Sequence, residues 1–332
     1  MQPFLTAFRA MVIVAMACTT FRSQAQTPDT RTPLAALKPD SSGVMSPVIL
    51  GTSGLVFVDG TFWTHDDAGG CAVLYRIGDT SKKRTRELWL RGAANGDWED
   101  LAQAAGQIYI ADIGNNTDTA RPYLRVYRFN VSETMHKPKR RSRWVEEYGL
   151  VRFVFPGGTT AKRMPLKDLK HTWNSEAMAV VGNLIYLFTK ENCDSAVVAR
   201  GECITRIYTL DLANFTGMDK DTLTVVYAGE MIVDGPITGA AYNQQRDRLA
   251  LVGNKHRTYM PFVTIIDNFS QTGSRMALGT HMLSMQCAQV EAATWGPGGA
   301  LYLSNENELG KERKVGSCDK LALPKVWRVQ VP

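Results

Sequence analysis

Along this chain, short apolar runs of strand length alternate with polar turns, and one two-strand unit returns five times. Its first strand opens on a polar residue followed by small and apolar ones. The five instances are Thr52-Ser53-Gly54-Leu55-Val56, Trp98-Glu99-Asp100-Leu101-Ala102, Ser175-Glu176-Ala177-Met178-Ala179, Ile237-Thr238-Gly239-Ala240-Ala241 and Val290-Glu291-Ala292-Ala293-Thr294. A second strand follows each, at Phe62-Trp63-Thr64, Ile108-Tyr109-Ile110, Ile185-Tyr186-Leu187, Leu249-Ala250-Leu251 and Leu301-Tyr302-Leu303. Recurring strand-rich units of this kind predict a β-propeller.

Each unit can be written as strands a to d. Strand a of unit two is expected over Leu101–Ala104, strand d of unit three over Leu223–Ala228, and strand d of unit four over Arg275–Gly279. The fifth unit runs through Ala292–Trp295, Ala300–Ser304 and Val326–Val331 and then lacks a strand d. A lone strand at Val44–Leu50 is expected to fill that place, because an open ring would leave two long unpaired edges. The expected fold is therefore all-β: a five-bladed propeller closed by pairing N- and C-terminal strands in the last blade. A sixth unit would have to hide between Asn130 and Thr172, where only one good strand is found. Aromatic and β-branched residues recur on the third strands (Tyr75, Val126-Tyr127, Ile207-Tyr208, Trp327) and are expected to pack between blades.

In a propeller the first strand of each blade lines the axis, which gathers Ser53, Glu99, Glu176, Thr238 and Glu291 into one ring. Three carboxylates converging there repel one another unless they are protonated or neutralised. Oxygen donors without Cys or His suit a hard cation, and calcium accepts six to eight oxygens at about 2.3–2.6 Å. The same glutamates would otherwise cap strand starts or pair with Arg and Lys. Strand b ends are polar and are expected to meet the ring at one mouth. Arg121, Lys190, Lys255 and His256 are placed there as grips for an anion, with His65, Asn115 and Glu306 as further ligand contacts. Asp66, Asp97 and Asp112 are candidates to orient or deprotonate a metal-polarised water.

The N-terminus reads as an export signal. Arg9 precedes the apolar run Ala10 to Ala17, and Ser23-Gln24-Ala25 offers a cleavage site. Residues 1–25 are expected to be a signal peptide, 26–43 a mobile leader rich in Thr, Pro, Ser and Asp, and 44–332 one propeller domain. Cys18 leaves a lipid-anchored alternative open, and no stretch is long and apolar enough for a transmembrane helix. Export to the periplasm or beyond is an oxidising fate. Cys193 and Cys203 flank one predicted hairpin loop and are the expected disulfide; Cys287 with Cys318 is a second candidate pair, leaving Cys71 over. The formal net charge is +6. The basic residues concentrate in Lys137-Pro138-Lys139-Arg140-Arg141-Ser142-Arg143 within one connection, so the charge reads as a solvated loop and nucleic acid is set aside. A monomer is expected.

The order Ser–Glu–Glu–Thr–Glu on first strands resembles the secreted calcium-activated nucleotidases (apyrases), five-bladed propellers whose central calcium is held by Ser and Glu. Thr238 departs from their Ser but keeps the hydroxyl. A wider resemblance is to exported bacterial propeller proteins of largely unassigned function. It is carried by Asp97-Trp98-Glu99-Asp100-Leu101-Ala102, Asp112-Ile113-Gly114-Asn115-Asn116 with Arg121, Ser175-Glu176-Ala177-Met178, Thr189-Lys190 and Ile237-Thr238-Gly239-Ala240. These resemblances imply the propeller and a calcium ring, and say little about substrate.

Two functions follow as expectations. One is a calcium-dependent hydrolase, or a binding site, for a small anionic molecule, a phosphate ester foremost. The other is a non-catalytic propeller at the cell envelope that binds a glycan or protein, with calcium as a structural rivet. A glycoside hydrolase using Asp66 and Glu306 ranks third, since it needs two carboxyls at a set separation. No Gly-x-Ser-x-Gly elbow, His-Glu-x-x-His helix or phosphate-cradling loop occurs.

Overall fold

A computed structural model describes residues 34–331, apart from 38–39, 47–48, 50, 68–69, 79–84, 117–120, 132–141, 158–172, 192, 194–196, 198–199, 201–202, 216–220, 256–259, 273–278, 285–287 and 307–323. The expected signal peptide, Cys18, Cys287, Cys318, His256 and most of the basic run lie outside the described residues.

The chain is a five-bladed β-propeller. Before the first blade come β1 (Leu34–Leu37) and β2 (Asp40–Val44). Blade one is β3 (Thr52–Val58), β4 (Thr61–Asp66), β5 (Val73–Arg76) and β6 (Glu87–Leu90). Blade two is β7 (Trp98–Ala104), β8 (Gln107–Asp112) and β9 (Leu124–Asn130), then, after the separate strand β10 (Ser142–Val145), β11 (Gly149–Val154). Blade three is β12 (Ser175–Val181), β13 (Leu184–Thr189) and β14 (Ile204–Asp211), then, after β15 (Thr222–Thr224), β16 (Val226–Ile232). Blade four is β17 (Ile237–Asn243), β18 (Arg248–Lys255), β19 (Met260–Asp267) and β20 (Gly279–Leu283). Blade five is β21 (Gln289–Trp295), β22 (Leu301–Glu306) and β23 (Lys325–Val329), completed by β2, which pairs antiparallel with β23.

Closure thus joins the two ends of the chain, but the closing strand is Asp40–Val44 rather than Val44–Leu50. Residues after β2 turn instead: the Ile49 amide donates to Ser46 O at 2.9 Å, and Met45 and Ile49 are buried beside Leu55 and Tyr302. Strands β1 and β2 also fall within the stretch expected to be a mobile leader. The outer strands of blades three and four run later than expected, at β16 and β20. Val225 breaks the former, its amide donating to Val154 O in blade two.

Three strands leave their own blade. β10 pairs parallel with β6, β15 with β11, and β1 with β20. In each case the segment ahead of one blade's outer strand is lent to the edge of the blade before it, covering backbone that would otherwise stand open.

The apolar core is divided into five clusters, one at each junction between blades. Sheets buried on both faces explain why their strands read as continuous apolar runs rather than alternating ones. The third-strand aromatics pack here as expected: Tyr208 meets Phe155 of blade two edge-on at 4.7 Å, and Tyr127 shares a cluster with Leu74 and Leu88 of blade one. The inner strands β3, β7, β12, β17 and β21 each pack on the next and close the ring.

Candidate functional site

Each inner strand carries a bulge, and in every blade it falls on the ring residue. Thr52 pairs with Asp66 and Gly54 with His65, so Ser53 has no cross-strand partner. In the same way Glu99 is skipped between Trp98 and Asp100, Glu176 between Ser175 and Ala177, Thr238 between Ile237 and Gly239, and Glu291 between Val290 and Ala292. A bulge inserts one unpaired residue and re-aims its side chain. Five bulges in register are the local cause of the ring. All five residues are buried, at 5% exposure or less.

The ring does not form one shell of ligands. Ser53 Oγ donates to Glu99 O at 3.0 Å and lies 3.3 Å from Glu99 Oε2. Thr238 Oγ1 donates to Val290 O at 2.7 Å, turned to the backbone of the next blade. Glu176 accepts Asn174 Nδ2 on Oε1 at 3.0 Å and pairs with Lys190 Nζ through Oε2. Ser53, Glu99, Glu176 and Glu291, but not Thr238, line a cavity of about 190 Å³ with Asp67, Asn116, Lys190, Gln289 and Glu306. Among the described residues every lining side chain is polar, five being carboxylates and one a Lys.

At one corner the lining residues Asp67 and Glu99 meet Asp97 behind them, one carboxylate oxygen of each lying within 4.8 Å of the others. Asp97 is 1% exposed and Glu99 3%. Neither oxygen of Asp97, nor Oε1 of Glu99, has a hydrogen-bond partner among the described residues. A Cβ on Gly114 would stand 2.1 Å from Glu99 Oε1 and 2.3 Å from Asp97 Oδ2, so both oxygens converge on the small space above that glycine. Buried carboxylates without donors are costly unless a proton or a cation joins them. Burial, then the charges of Asp67, Glu176 and Asp112, push Asp97 up to about 7 against the pull of Arg121. Burial, with Glu176, Asp67 and Asp97, holds Glu99 well above the carboxylate range. Glu291 is pushed up to about 8, by burial first, although Lys190 opposes this. Donor type and convergence fit a hard cation held by Asp67, Asp97 and Glu99.

Several candidates have structural duties instead. Asp112 Oδ1 accepts the Asp97 amide at 2.9 Å and Arg121 Nη2 at 2.7 Å, while Oδ2 pairs with Arg125 Nε at 2.9 Å. Arg121 also donates to Gly114 O at 2.9 Å, and its own amide is held by Asn115 Oδ1 at 2.8 Å. The Asn115 amide donates to Asn174 Oδ1 at 2.8 Å. The Asp-Ile-Gly-Asn-Asn segment with Arg121 is thus a brace from Asp97 to Glu176; neither Asp112 nor Arg121 is open to a ligand. Asp66 Oδ1 accepts the Gly51 amide at 3.3 Å and is not among the lining residues; its neighbour Asp67 is. His65 is fully buried, with Nδ1 donating to Asp66 O at 2.9 Å and its ring edge-on to Trp98. Burial drives its pKa down to about 4, so it is a neutral core residue rather than an anion grip. Lys255 ends β18 and is not among the residues that line the cavity, whereas Glu306 lines it and accepts Gln289 Nε2.

Sequence reasoning missed Asp67, Asn116 and Gln289. It also missed Asp100, which is fully buried and accepts the amides of Leu101 and Met178 at 2.8 Å and of Ala240 at 3.1 Å. The predicted disulfide Cys193–Cys203 is present, with Cα atoms 5.4 Å apart, and Cys71 is an exposed free thiol. No helix among the described residues is long and apolar enough to cross a membrane.

No protein-family model matches the chain, and no curated protein matches it in sequence. In three dimensions it is similar to other β-propellers. Glutaminyl cyclase of Myxococcus xanthus is 13% identical over 89% of this chain and 97% of that one, with a TM-score of 0.45. The PQQ-bound aldose sugar dehydrogenase of Streptomyces coelicolor is 11% identical over 90% and 99%, at 0.44. The calcium-binding protein regucalcin of Agrobacterium tumefaciens is 11% identical over 90% and 96%, at 0.41. Likeness at this level concerns the fold, and function has to be argued from the residues of this chain.

Proposed function

We propose that the mouth of the propeller is a divalent-cation centre, calcium in an exported protein, that binds a small oxygen-rich molecule. The observation that carries this is the convergence of the unpartnered oxygens of Asp97 and Glu99, with Asp67, over Gly114. Oxygen-only donors in an irregular arrangement favour calcium over octahedral magnesium. The Cys193–Cys203 disulfide supports an oxidising compartment, where calcium is plentiful.

The electrostatics favour a neutral, hydroxyl-rich ligand such as a glycan end over a free anion. Arg121 is spent on Asp112 and Lys190 on Glu176, while five carboxylates line the cavity. Hydroxyl oxygens coordinate a cation while their hydrogens donate to carboxylates, whereas an anion is repelled by the five carboxylates that line the cavity.

Hydrolysis of a phosphate ester is the second reading, and Asp97 is what favours it. Of the three carboxylates expected to act on water, it is the one that belongs to the cation corner, where its unpartnered oxygens would hold the ion that polarises a water.

Calorimetric titration of the protein with calcium, with and without Asp97→Asn, tests the centre; no calcium binding by the unmodified protein sinks it. A panel of glycans and phosphate esters, run with calcium or chelator, then separates the readings. Calcium-dependent glycan retention without turnover supports the first. Chelator-sensitive phosphate release that Asp97→Asn abolishes supports the second.

A further inference from the structure

We propose that Lys190 is a built-in cation that occupies the propeller axis, confines the pocket to one divalent ion at the Asp67–Asp97–Glu99 corner, and masks a second cation site made by Glu176 and Glu291. The inference rests on the cation centre proposed above for the location of the first ion, but not for its own test.

Three observations place Lys190 in that role. Its ammonium pairs with Glu176 Oε2, and its backbone amide donates to Asn174 O at 3.0 Å. Asn174 in turn holds Oε1 of Glu176 at 3.0 Å, so one Asn fixes both the base of the lysine and the carboxylate it meets. The same ammonium interacts electrostatically with Glu291 and Glu99, and these acids keep it charged although burial opposes charge. The pairing therefore reaches three of the five ring positions, contributed by blades two, three and five.

A tethered ammonium has an advantage over an ion from solution: it brings its charge without the cost of capturing a free particle. It also differs in kind. One positive charge leaves the neighbouring carboxylates only partly neutralised, since five of them line the cavity with it. Removing the ammonium leaves Glu176 and Glu291 buried along one cavity with no positive charge between them. That arrangement recruits a cation or loses stability.

The test is the stoichiometry of calcium binding, by calorimetry and by terbium luminescence, on the full chain. The unmodified protein is expected to bind one ion, Lys190→Met two, and Asp97→Asn with Lys190→Met one. Adding Glu291→Gln to Lys190→Met is expected to return two ions to one. Lys190→Gln, similar in reach and neutral, gives the same reading if Lys190→Met fails to fold. A Lys190 variant that binds the same number of ions as its parent, at unchanged affinity, overturns the proposal. If the unmodified protein binds none while the Lys190 variants bind one, the corner site fails and the axial site stands.

Discussion

Asp100, on the inner strand of blade two, accepts the backbone amide of Ala240, on the inner strand of blade four, at 3.1 Å. The same Oδ2 takes the Met178 amide of blade three at 2.8 Å. One carboxylate thus ties three inner strands just beneath the ring. Burial pushes its pKa well up, and the three amides it accepts pull the other way.

Asp100→Ala strands these amides in the core. With about 1–3 kcal/mol lost per buried unsatisfied donor, the expected destabilisation is at least about 3 kcal/mol. Asp100→Asn keeps a carbonyl acceptor and is expected to lose less. Urea unfolding of both variants checks the order, and equal stability of Asp100→Ala and the parent refutes the staple.

The raised carboxylates set a pH dependence. Asp97, near 7, and Glu291, near 8, hold protons in the folded chain that the unfolded chain releases at about pH 4. Stability of the metal-free protein is then greatest below that range and falls as pH rises to about 8. Calcium needs the deprotonated acids, so its stabilising effect grows over the same interval. Melting curves with calcium or chelator at pH 5 and pH 8 are expected to coincide at the lower pH and separate at the higher. A separation that is constant with pH contradicts this.

Gly114→Ala probes the corner without removing a ligand. Its φ lies outside the left-handed region, so alanine suits the backbone, but the methyl group would enter the space where Glu99 Oε1 and Asp97 Oδ2 converge. Calcium binding is expected to weaken at least tenfold, a change of about 1.4 kcal/mol. Unchanged affinity by calorimetry would remove Gly114 from the site.

Reduction of Cys193–Cys203 opens a loop of sequence separation 10. The chain-entropy relation gives a loss of about 2.7 kcal/mol. A fall in melting temperature with dithiothreitol, absent from a Cys193→Ser/Cys203→Ser variant, checks it.

The ring was legible because each inner strand announces its start with a polar residue before small apolar ones. The blade count followed from the same repetition. The cation corner was less so. Thr64-His65-Asp66-Asp67 is an unbroken polar run, and only the point where β4 ends decides that His65 turns into the core while Asp67 reaches the cavity. Two adjacent aspartates at a hairpin end were the available signal. The engagement of Arg121 and Lys190 was hidden for another reason. A sequence shows that a cation is near the mouth, but not that Asp112 or Glu176 lies within reach of it. Strands β1 and β2 stayed unread because their stretch has the Thr/Pro/Ser/Asp composition of a linker, while their pairing rests on backbone hydrogen bonds that every residue but Pro can both donate and accept.

The borrowed strands β10, β15 and β1 act like hoops on a cask. Each stave carries a band that belongs to the next one round, so blades one, two and four cannot lift away without tearing the neighbour that lent the band. Repeat arrays joined only by nearest-neighbour packing unravel piecemeal from their ends. Among the described residues three of the five seams are banded in this way, and to open any of them is to damage both staves that meet there.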